Sequence, residues 1–107
     1  MRLPKSARLT LRGEFLAVQE RGRKQHAGAY VVLALPNTLG FARLGVTVSS
    51  RVGNAVVRNR VKRWVREAFR AAAAALPAVD LVVIARSAAP EAGLEAATRA
   101  VRAAVRP

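Results

Sequence analysis

The sequence contains no cysteine, six acidic residues and one histidine among its 107 residues. The absence of cysteine excludes disulfide bonds and cysteine-based zinc sites, and it is consistent with a reducing compartment. The acidic residues are scattered, so they form no obvious carboxylate cluster for a metal ion. His26 lacks a nucleophile or metal-binding partner, and such a lone histidine is more often a surface or capping residue than a catalyst. We therefore expect no catalytic side chain and no metal-binding side chain.

Long hydrophobic runs are also missing. No segment approaches the roughly 20 apolar residues of a membrane-spanning helix, and the first residues lack the apolar stretch of a signal peptide. We expect a cytoplasmic protein with no membrane partner and no organic cofactor. The chain is 52% hydrophobic, which is enough for one domain with its own core, and we assign residues 1–107 to that domain.

Positive charge is what the sequence has in excess. Nineteen Lys and Arg residues outnumber the six acids, which gives a net charge of +13. A small domain with this charge repels itself unless a polyanion binds it. Nucleic acid is the favoured polyanion, because neutralised phosphates release their counterions, and an anionic membrane is the second choice. A generally basic protein without such a partner would not explain the shortage of acids.

The hydrophobic pattern predicts an α+β fold with the element order α-β-β-α-β-α. The predicted helices cover residues 12–21, 55–76 and 91–105, and the predicted strands cover 30–35, 43–48 and 80–85. The first two strands are expected to pair antiparallel. The near-continuous apolar run of the third strand favours a central or parallel position. We predict a single-domain α-β sandwich, in which helices pack on a sheet of at least three strands.

The second predicted helix is both amphipathic and basic. At about 100° per residue, its apolar residues fall on one face, which we expect to pack on the core. These residues are Val57, Val61, Trp64, Val65, Ala68 and Ala72. From Arg51 to Arg70 there are seven basic residues and one acid, although like charges four residues apart destabilise a helix slightly. A solvated helix face explains the amphipathic pattern, but it does not explain why nearly all of the charged residues are positive. A bound polyanion would relieve the repulsion between these positive charges.

We predict that this helix and the loop before it bind nucleic acid. Asn54 is the expected N-cap, Gly53 permits close approach of the backbone, and the free N–H groups at a helix start favour phosphate. Arginine also suits bidentate contacts with phosphate. A membrane-surface helix is less favoured, because the core needs the apolar face. The residues predicted to contact the nucleic acid, which the resemblance described next identifies as RNA, are Arg51, Asn54, Arg58, Asn59, Arg60, Lys62, Arg63 and Arg66.

The chain resembles the bacterial ribonuclease P protein family over nearly its whole length. The segment from Val48 to Arg70, with Arg58-Asn59-Arg60 followed by Lys62-Arg63, carries most of the resemblance. An Arg-Leu pair with a following Phe precedes it, and Val83-Ile84-Ala85-Arg86 follows it at the family's spacing. The Arg-Asn-Arg triplet is specific only in this context.

The resemblance implies that the protein is the small, non-catalytic partner of a large catalytic RNA. The RNA and the Mg²⁺ ions bound mainly by it would hydrolyse one phosphodiester bond and so remove the 5′ leader of precursor tRNA. The protein, a monomer by itself, would contact the catalytic RNA through the Arg-Asn-Arg helix. It would bind the leader in a cleft between the sheet and the first helix. The family also has a left-handed β-α-β crossover through the Arg-Asn-Arg helix, although the general rule favours a right-handed connection.

The same resemblance identifies the leader-binding residues. They are Arg12, Phe15, Tyr30 and Arg86, with Arg51 and Arg86 on the rim of the cleft. Aromatic rings can stack on single-stranded bases without sequence preference, although core packing explains Tyr30 about equally well. Two positions depart from the family pattern, Gln19 where a second Phe is often found and Ser50 where Lys is common. Both departures predict weaker or more salt-sensitive contact with the leader.

Two other functions compete with this one. A non-enzymatic RNA-binding protein, such as a small ribosomal protein or an RNA chaperone, would need the same charge. Only a ribonuclease P protein is expected to support RNA-dependent cleavage of precursor tRNA at one position. DNA binding in a major groove is less favoured, because the apolar stripe is too broad for a free recognition helix and no dimer element is apparent.

Overall fold

Within residues 4–104, the part of the chain that the structure describes, the computed structural model has a four-stranded sheet and three α-helices. The helices are α1 (Arg12–Arg21), α2 (Ala55–Ala72) and α3 (Ala89–Ala103). The strands are β1 (Arg23–Ala27), β2 (Tyr30–Pro36), β3 (Arg43–Thr47) and β4 (Val79–Ala85). The α+β prediction is confirmed, with one strand more than the hydrophobic pattern indicated.

The additional strand, β1, begins directly after α1, so the order is α-β-β-β-α-β-α. β1 pairs antiparallel with β2 and lies at the edge of the sheet. Its sequence Arg-Lys-Gln-His-Ala is mostly exposed and includes His26. The turn to β2 uses Gly28 at a φ of 60°, a conformation that glycine adopts without strain. A polar edge strand shows no apolar alternation, which is why the pattern did not reveal it.

The strands follow the order β1-β2-β4-β3 across the sheet. β4 pairs antiparallel with β2 and parallel with β3, with Val46 opposite Val83. The prediction that the first two predicted strands pair with each other is therefore wrong, because β4 lies between them. The central position predicted for β4 is confirmed, and every residue of β4 except Ile84 is buried.

The parallel neighbours β3 and β4 are joined through α2. The β-α-β connection implied by the resemblance is therefore present, and its left-handed sense stays a prediction. α2 ends at Ala72 and continues as a 3₁₀ turn over Ala73–Ala75, so the regular helix is shorter than predicted. α3 begins at Ala89 and has a kink at Gly93. The predicted end of this helix, Val105, lies outside the described residues.

The two faces of the sheet are covered unequally. On one face, α2 and α3 enclose the larger part of the core. Its largest fully buried side chains include Tyr30, Val32, Val61, Val65, Phe69, Leu81, Val83 and Val101. On the other face, which we call the α1 face, the buried cluster is smaller and comprises Leu9, Val18, Leu33 and Val82. The ten-residue helix α1 does not cover this face fully, and Phe15, Val31, Leu35 and Ile84 stay half-buried there.

Candidate nucleic-acid interface

The start of α2 is defined by Asn54. Its side-chain Oδ1 accepts a hydrogen bond from the backbone N–H of Val57 at 3.0 Å, and its carbonyl accepts one from Arg58 at 2.9 Å. The preceding residue, Gly53, has a φ of 157°, and a Cβ there would lie 2.9 Å from Cγ1 of Val57. The predicted N-cap is confirmed, and the glycine is required because Val57 occupies the space of a side chain.

The outer side of α2 is basic. Arg60, Arg63 and Arg66 are exposed, whereas Val61 and Val65 on the opposite side are fully buried. We define the basic surface as Arg58, Asn59, Arg60, Lys62, Arg63 and Arg66. Within residues 4–104, no acidic side chain forms an ion pair with these cations. The basic surface therefore carries uncompensated positive charge.

Arg51 lies outside the basic surface, and Arg58 differs from its exposed members in burial. Arg51 is exposed in the loop before α2. Arg58 is half-buried, and its Nε is buried without a hydrogen-bond partner in the described part of the protein. Because a buried polar N–H without a partner is costly, Arg58 is the member of the basic surface with the most to gain from an added acceptor such as a phosphate oxygen.

A cavity of about 170 Å³ lies at the β3 edge of the sheet, and we call it the edge cavity. It is lined by Arg8, Leu9, Thr10, Phe15, Leu44, Val46 and Arg66. Residues 8–10 run beside β3, where the N–H of Leu9 donates to the carbonyl of Leu44 at 2.8 Å. The edge cavity thus brings Phe15 of α1, predicted to bind the leader, together with Arg66 of α2, predicted to bind RNA. Arg8 adds a second cation, which was not among the predicted RNA-binding or leader-binding residues.

Tyr30 lies on the other face of the sheet. Its side chain is fully buried in the core beneath α2 and α3, with 0% exposure, and burial raises the pKa of its phenol. Alternation along β2 explains the placement, since Tyr30 and Val32 point to one face while Val31 and Leu33 point to the other. The prediction that Tyr30 lines the leader cleft is corrected, because its ring is not accessible to a base. Core packing was the right reading.

The other two predicted leader residues are exposed and stand apart from the edge cavity. Arg12 is the first residue of α1, and Arg86 follows β4 directly. The backbone N–H of Arg86 donates to the carbonyl of Ala29 at 2.8 Å, which anchors the chain where β4 ends. Neither side chain lines the edge cavity. Any role in leader binding would therefore lie outside it.

An ion network that was not predicted from the sequence fixes α1 to the sheet. Arg43 donates from Nη1 to Glu14 Oε2 at 2.7 Å and from Nε and Nη2 to the two carboxylate oxygens of Asp80 at 2.8 and 2.7 Å. Asn37 Nδ2 donates to Asp80 at 2.9 Å. We call Glu14, Arg43 and Asp80 the ion network. It joins α1, β3 and β4, and Arg43 and Asp80 are directly paired across the two strands.

The pKa values of the ion network follow from these contacts. Burial alone would raise the pKa of Asp80, but hydrogen bonds from Arg43 and Asn37 outweigh it and hold the pKa below its ordinary value. The backbone N–H of Leu11 is the largest influence on Glu14 and lowers its pKa, with a further contribution from Arg43. The pKa of Arg43 is raised, chiefly by its hydrogen bonds to Asp80. All three groups are therefore held in their charged forms.

The described residues contain no group of three or more His, Cys, Asp or Glu side chains arranged to hold a metal ion. Among the helices of residues 4–104, none combines the length and the apolar character that crossing a bilayer requires.

Comparison with known proteins gives a consistent set of relatives. A family model described as Ribonuclease P matches residues 3–107. The ribonuclease P protein component of Desulfovibrio desulfuricans is 46% identical over 96 residues, which cover 87% of this chain and 74% of that protein. The solved structure of the Staphylococcus aureus RNase P protein aligns with a TM-score of 0.84 at 30% identity and covers 94% of this chain and 93% of that one. The Thermotoga maritima RNase P protein aligns with a TM-score of 0.82 at 33% identity, covering 94% and 96%.

Proposed function

Because the chain belongs to the ribonuclease P protein family, we propose that it assists an RNA subunit in removing the 5′ leader from precursor tRNA. The observation that carries the proposal is the edge cavity, where Phe15 and Arg66 meet. A basic surface for a large folded RNA and an aromatic side chain for a single strand adjoin at this point. The protein can therefore hold the catalytic RNA and the leader side by side.

The catalytic RNA is the proposed partner of the basic surface. Its cations have no acidic partners in the described residues, so a phosphate backbone would not have to displace existing ion pairs. Each neutralised phosphate releases counterions, which gives affinity without any requirement for a base sequence. The N-terminal N–H groups of α2, beside Asn54 and Gly53, add a further place for a phosphate.

The leader is the proposed ligand of the region around Phe15. The half-buried ring offers a stacking surface for an unpaired base. Arg8 and Arg66, which line the same cavity, are placed to neutralise the adjoining phosphates. Val31 and Ile84, half-buried on the α1 face, offer further apolar surface. These contacts suit a strand of any sequence, as a subunit acting on many precursor tRNAs requires.

We assign hydrolysis to the RNA subunit and to Mg²⁺ ions held mainly by it, as the family resemblance implies. This chain would contribute cations that reduce repulsion between the RNAs and a surface that fixes the leader. A cytoplasmic location and a monomeric free protein belong to the same proposal.

A reconstituted cleavage assay tests the proposal. At low Mg²⁺, adding the protein to its cognate RNA should raise the rate of cleavage of precursor tRNA at one position, because the protein's cations substitute for part of the metal-ion screening. A polycation at equal charge concentration is the control and should not reproduce the effect. Cleavage that is unaffected by the protein, together with tight RNA binding, would favour the non-enzymatic RNA-binding protein. Competition by duplex DNA at physiological salt would favour the DNA-binding alternative.

Restoring an aromatic ring at position 19 should strengthen leader binding. Gln19 is exposed on α1, four residues after Phe15 and therefore on the same side of the helix. We expect Gln19→Phe to raise affinity for substrates with a leader by roughly fivefold, the equivalent of one weak stacking contact. The measurement is the dependence of substrate affinity on leader length. Gln19→Leu is the matched control, since it adds apolar surface without a ring, and equal affinities for the two variants and the parent would count against the stacking model.

A further inference from the structure

Glycine at position 45 is unexpected on backbone grounds. Gly45 lies in the interior of β3 and is buried, and a glycine in a strand often marks a close approach by another group. Its φ lies outside the left-handed range, so any residue could adopt this backbone. The reason for glycine must therefore be what lies above it.

The group above Gly45 is the ring of Phe15. A Cβ added at residue 45 would lie 2.6 Å from Cε1 and 2.7 Å from Cζ of that ring, and 3.2 Å from Cδ1 of Leu9. Carbon atoms pack favourably at about 3.5–4.0 Å, so no side chain fits between the ring and the strand. The edge of the Phe15 ring rests directly on the backbone of β3.

The ion network holds α1, the helix that carries the ring, close to β3 at this level of the sheet. Glu14, next to Phe15, is joined to Arg43, which is two residues before Gly45 on the same strand. Arg43 is fixed in turn by both carboxylate oxygens of Asp80 on β4. Two features therefore set the position of the Phe15 ring. The absence of a side chain at Gly45 lets the ring reach the strand, and the ion network holds α1 against the sheet.

We propose that Gly45 is a positioning residue for leader recognition, which sets the depth of the Phe15 ring in the edge cavity while the ion network holds α1 against the sheet. The inference rests on the proposed binding of the leader at Phe15. With its edge directly on the strand, the ring leaves the cavity open above it for a base. A ring lifted by a methyl group at position 45 would occupy part of that space.

The test compares Gly45→Ala with Gly13→Ala in the reconstituted ribonucleoprotein. Gly13 is the matched control, because a Cβ there meets nothing within 4 Å. The readout is the leader ratio, defined as the affinity for a substrate with a leader divided by that for the same tRNA without one. Gly45→Ala should lower the ratio roughly fivefold, the equivalent of about 1 kcal/mol of base–aromatic stacking. Gly13→Ala should leave it unchanged, and both variants should retain the affinity of the parent for the catalytic RNA.

A double-mutant cycle separates positioning from general damage. If Gly45 acts through the ring, Gly45→Ala should have no further effect on the leader ratio in a Phe15→Ala background. An additional decrease there, or an unchanged or raised ratio for Gly45→Ala alone, overturns the inference. If Phe15→Ala itself leaves the ratio at the parent value, the proposed leader site and this inference both fail. A decrease with Phe15→Ala but none with Gly45→Ala removes the inference alone.

A second variant tests the ion pair between Glu14 and Arg43. This test does not depend on whether Gly45→Ala folds. Glu14→Gln keeps an oxygen that can accept from the backbone N–H groups of Thr10 and Leu11 but loses the charge that Arg43 contacts. Glu20→Gln makes the same change at an exposed position of α1 that has no ion pair among the described residues. We expect the leader ratio to fall about twofold for Glu14→Gln and to stay constant for Glu20→Gln. Equal leader ratios for the two variants would show that the ion pair between Glu14 and Arg43 does not position the ring.

Discussion

Replacing Arg43 with Ala should lower the free energy of unfolding by about 3 kcal/mol, the low end of the range for breaking a buried ion pair. The side chain of Asp80 is only 10% exposed, and the substitution removes the bidentate hydrogen bonds that its carboxylate accepts from Arg43. It also releases Glu14, so α1 loses its charged contact with the sheet. Urea denaturation followed by circular dichroism measures the change.

Arg99→Ala is the matched control for this prediction. Arg99 also has a carboxylate neighbour, Glu95 at 3.9 Å, but the two side chains are 74% and 92% exposed. Exposed pairs of this kind contribute about 0–1 kcal/mol. Similar losses for the two arginines would contradict the view that burial makes the ion network important.

The stability difference between parent and Arg43→Ala should depend on pH in a defined direction. The pKa values of Asp80 and Glu14 are lowered in the folded protein, so their contribution is present above the ordinary values of 3.8 and 4.5 and is lost as the pH falls below them. In the variant, burial is no longer opposed by Arg43, and Asp80 becomes easier to protonate. The difference in unfolding free energy should therefore be largest near neutral pH and narrow below about pH 4.

Local sequence rules predicted those parts of the fold that depend on neighbours along the chain. Asn54 caps α2 because its side chain reaches the N–H of Val57, three residues away, and this requires no knowledge of the rest of the protein. The apolar spacing of α2 likewise identified Val61, Val65 and Ala68 as buried. Phe69, which that stripe did not include, is also buried, because α3 packs beside the sheet and widens the covered side of the helix.

The errors concern relations between distant segments. β2 and β3 are consecutive apolar strands, and consecutive strands often pair. In this sheet, however, β4 lies between them, although it follows both of them and α2 in the sequence. Tyr30 could not be assigned to a face, because both faces of β2 are partly covered and its sequence is apolar throughout. The pairing of Arg43 with Asp80 depends on the register of two strands separated by a helix. A carboxylate at the start of an apolar strand was the one available sign, since a buried charge requires a partner.

The largest loss of RNA affinity is expected from removing arginines of the basic surface. Replacing Arg58, Arg60 and Arg63 together with Ala should reduce the slope of log K against log salt by roughly three, about one for each lost phosphate contact. Affinity for the catalytic RNA should fall by roughly tenfold or more at physiological salt. These side chains have no ion pairs to lose within residues 4–104, so the effect on folding should be small. Filter binding over a range of salt concentrations measures both quantities.

A matched pair of double variants separates the basic surface from charge in general. Arg60 and Arg63 are exposed and three residues apart on α2, and Arg99 and Arg102 are exposed and three residues apart on α3. Each double replacement by Ala removes two positive charges from a helix of the same domain. If RNA lies against α2, Arg60→Ala/Arg63→Ala should lower the salt slope by roughly two, whereas Arg99→Ala/Arg102→Ala should barely change it. Equal slopes for the two doubles would mean that net charge, and not the position of α2 in the fold, governs binding, and the catalytic RNA would have to be assigned to another face.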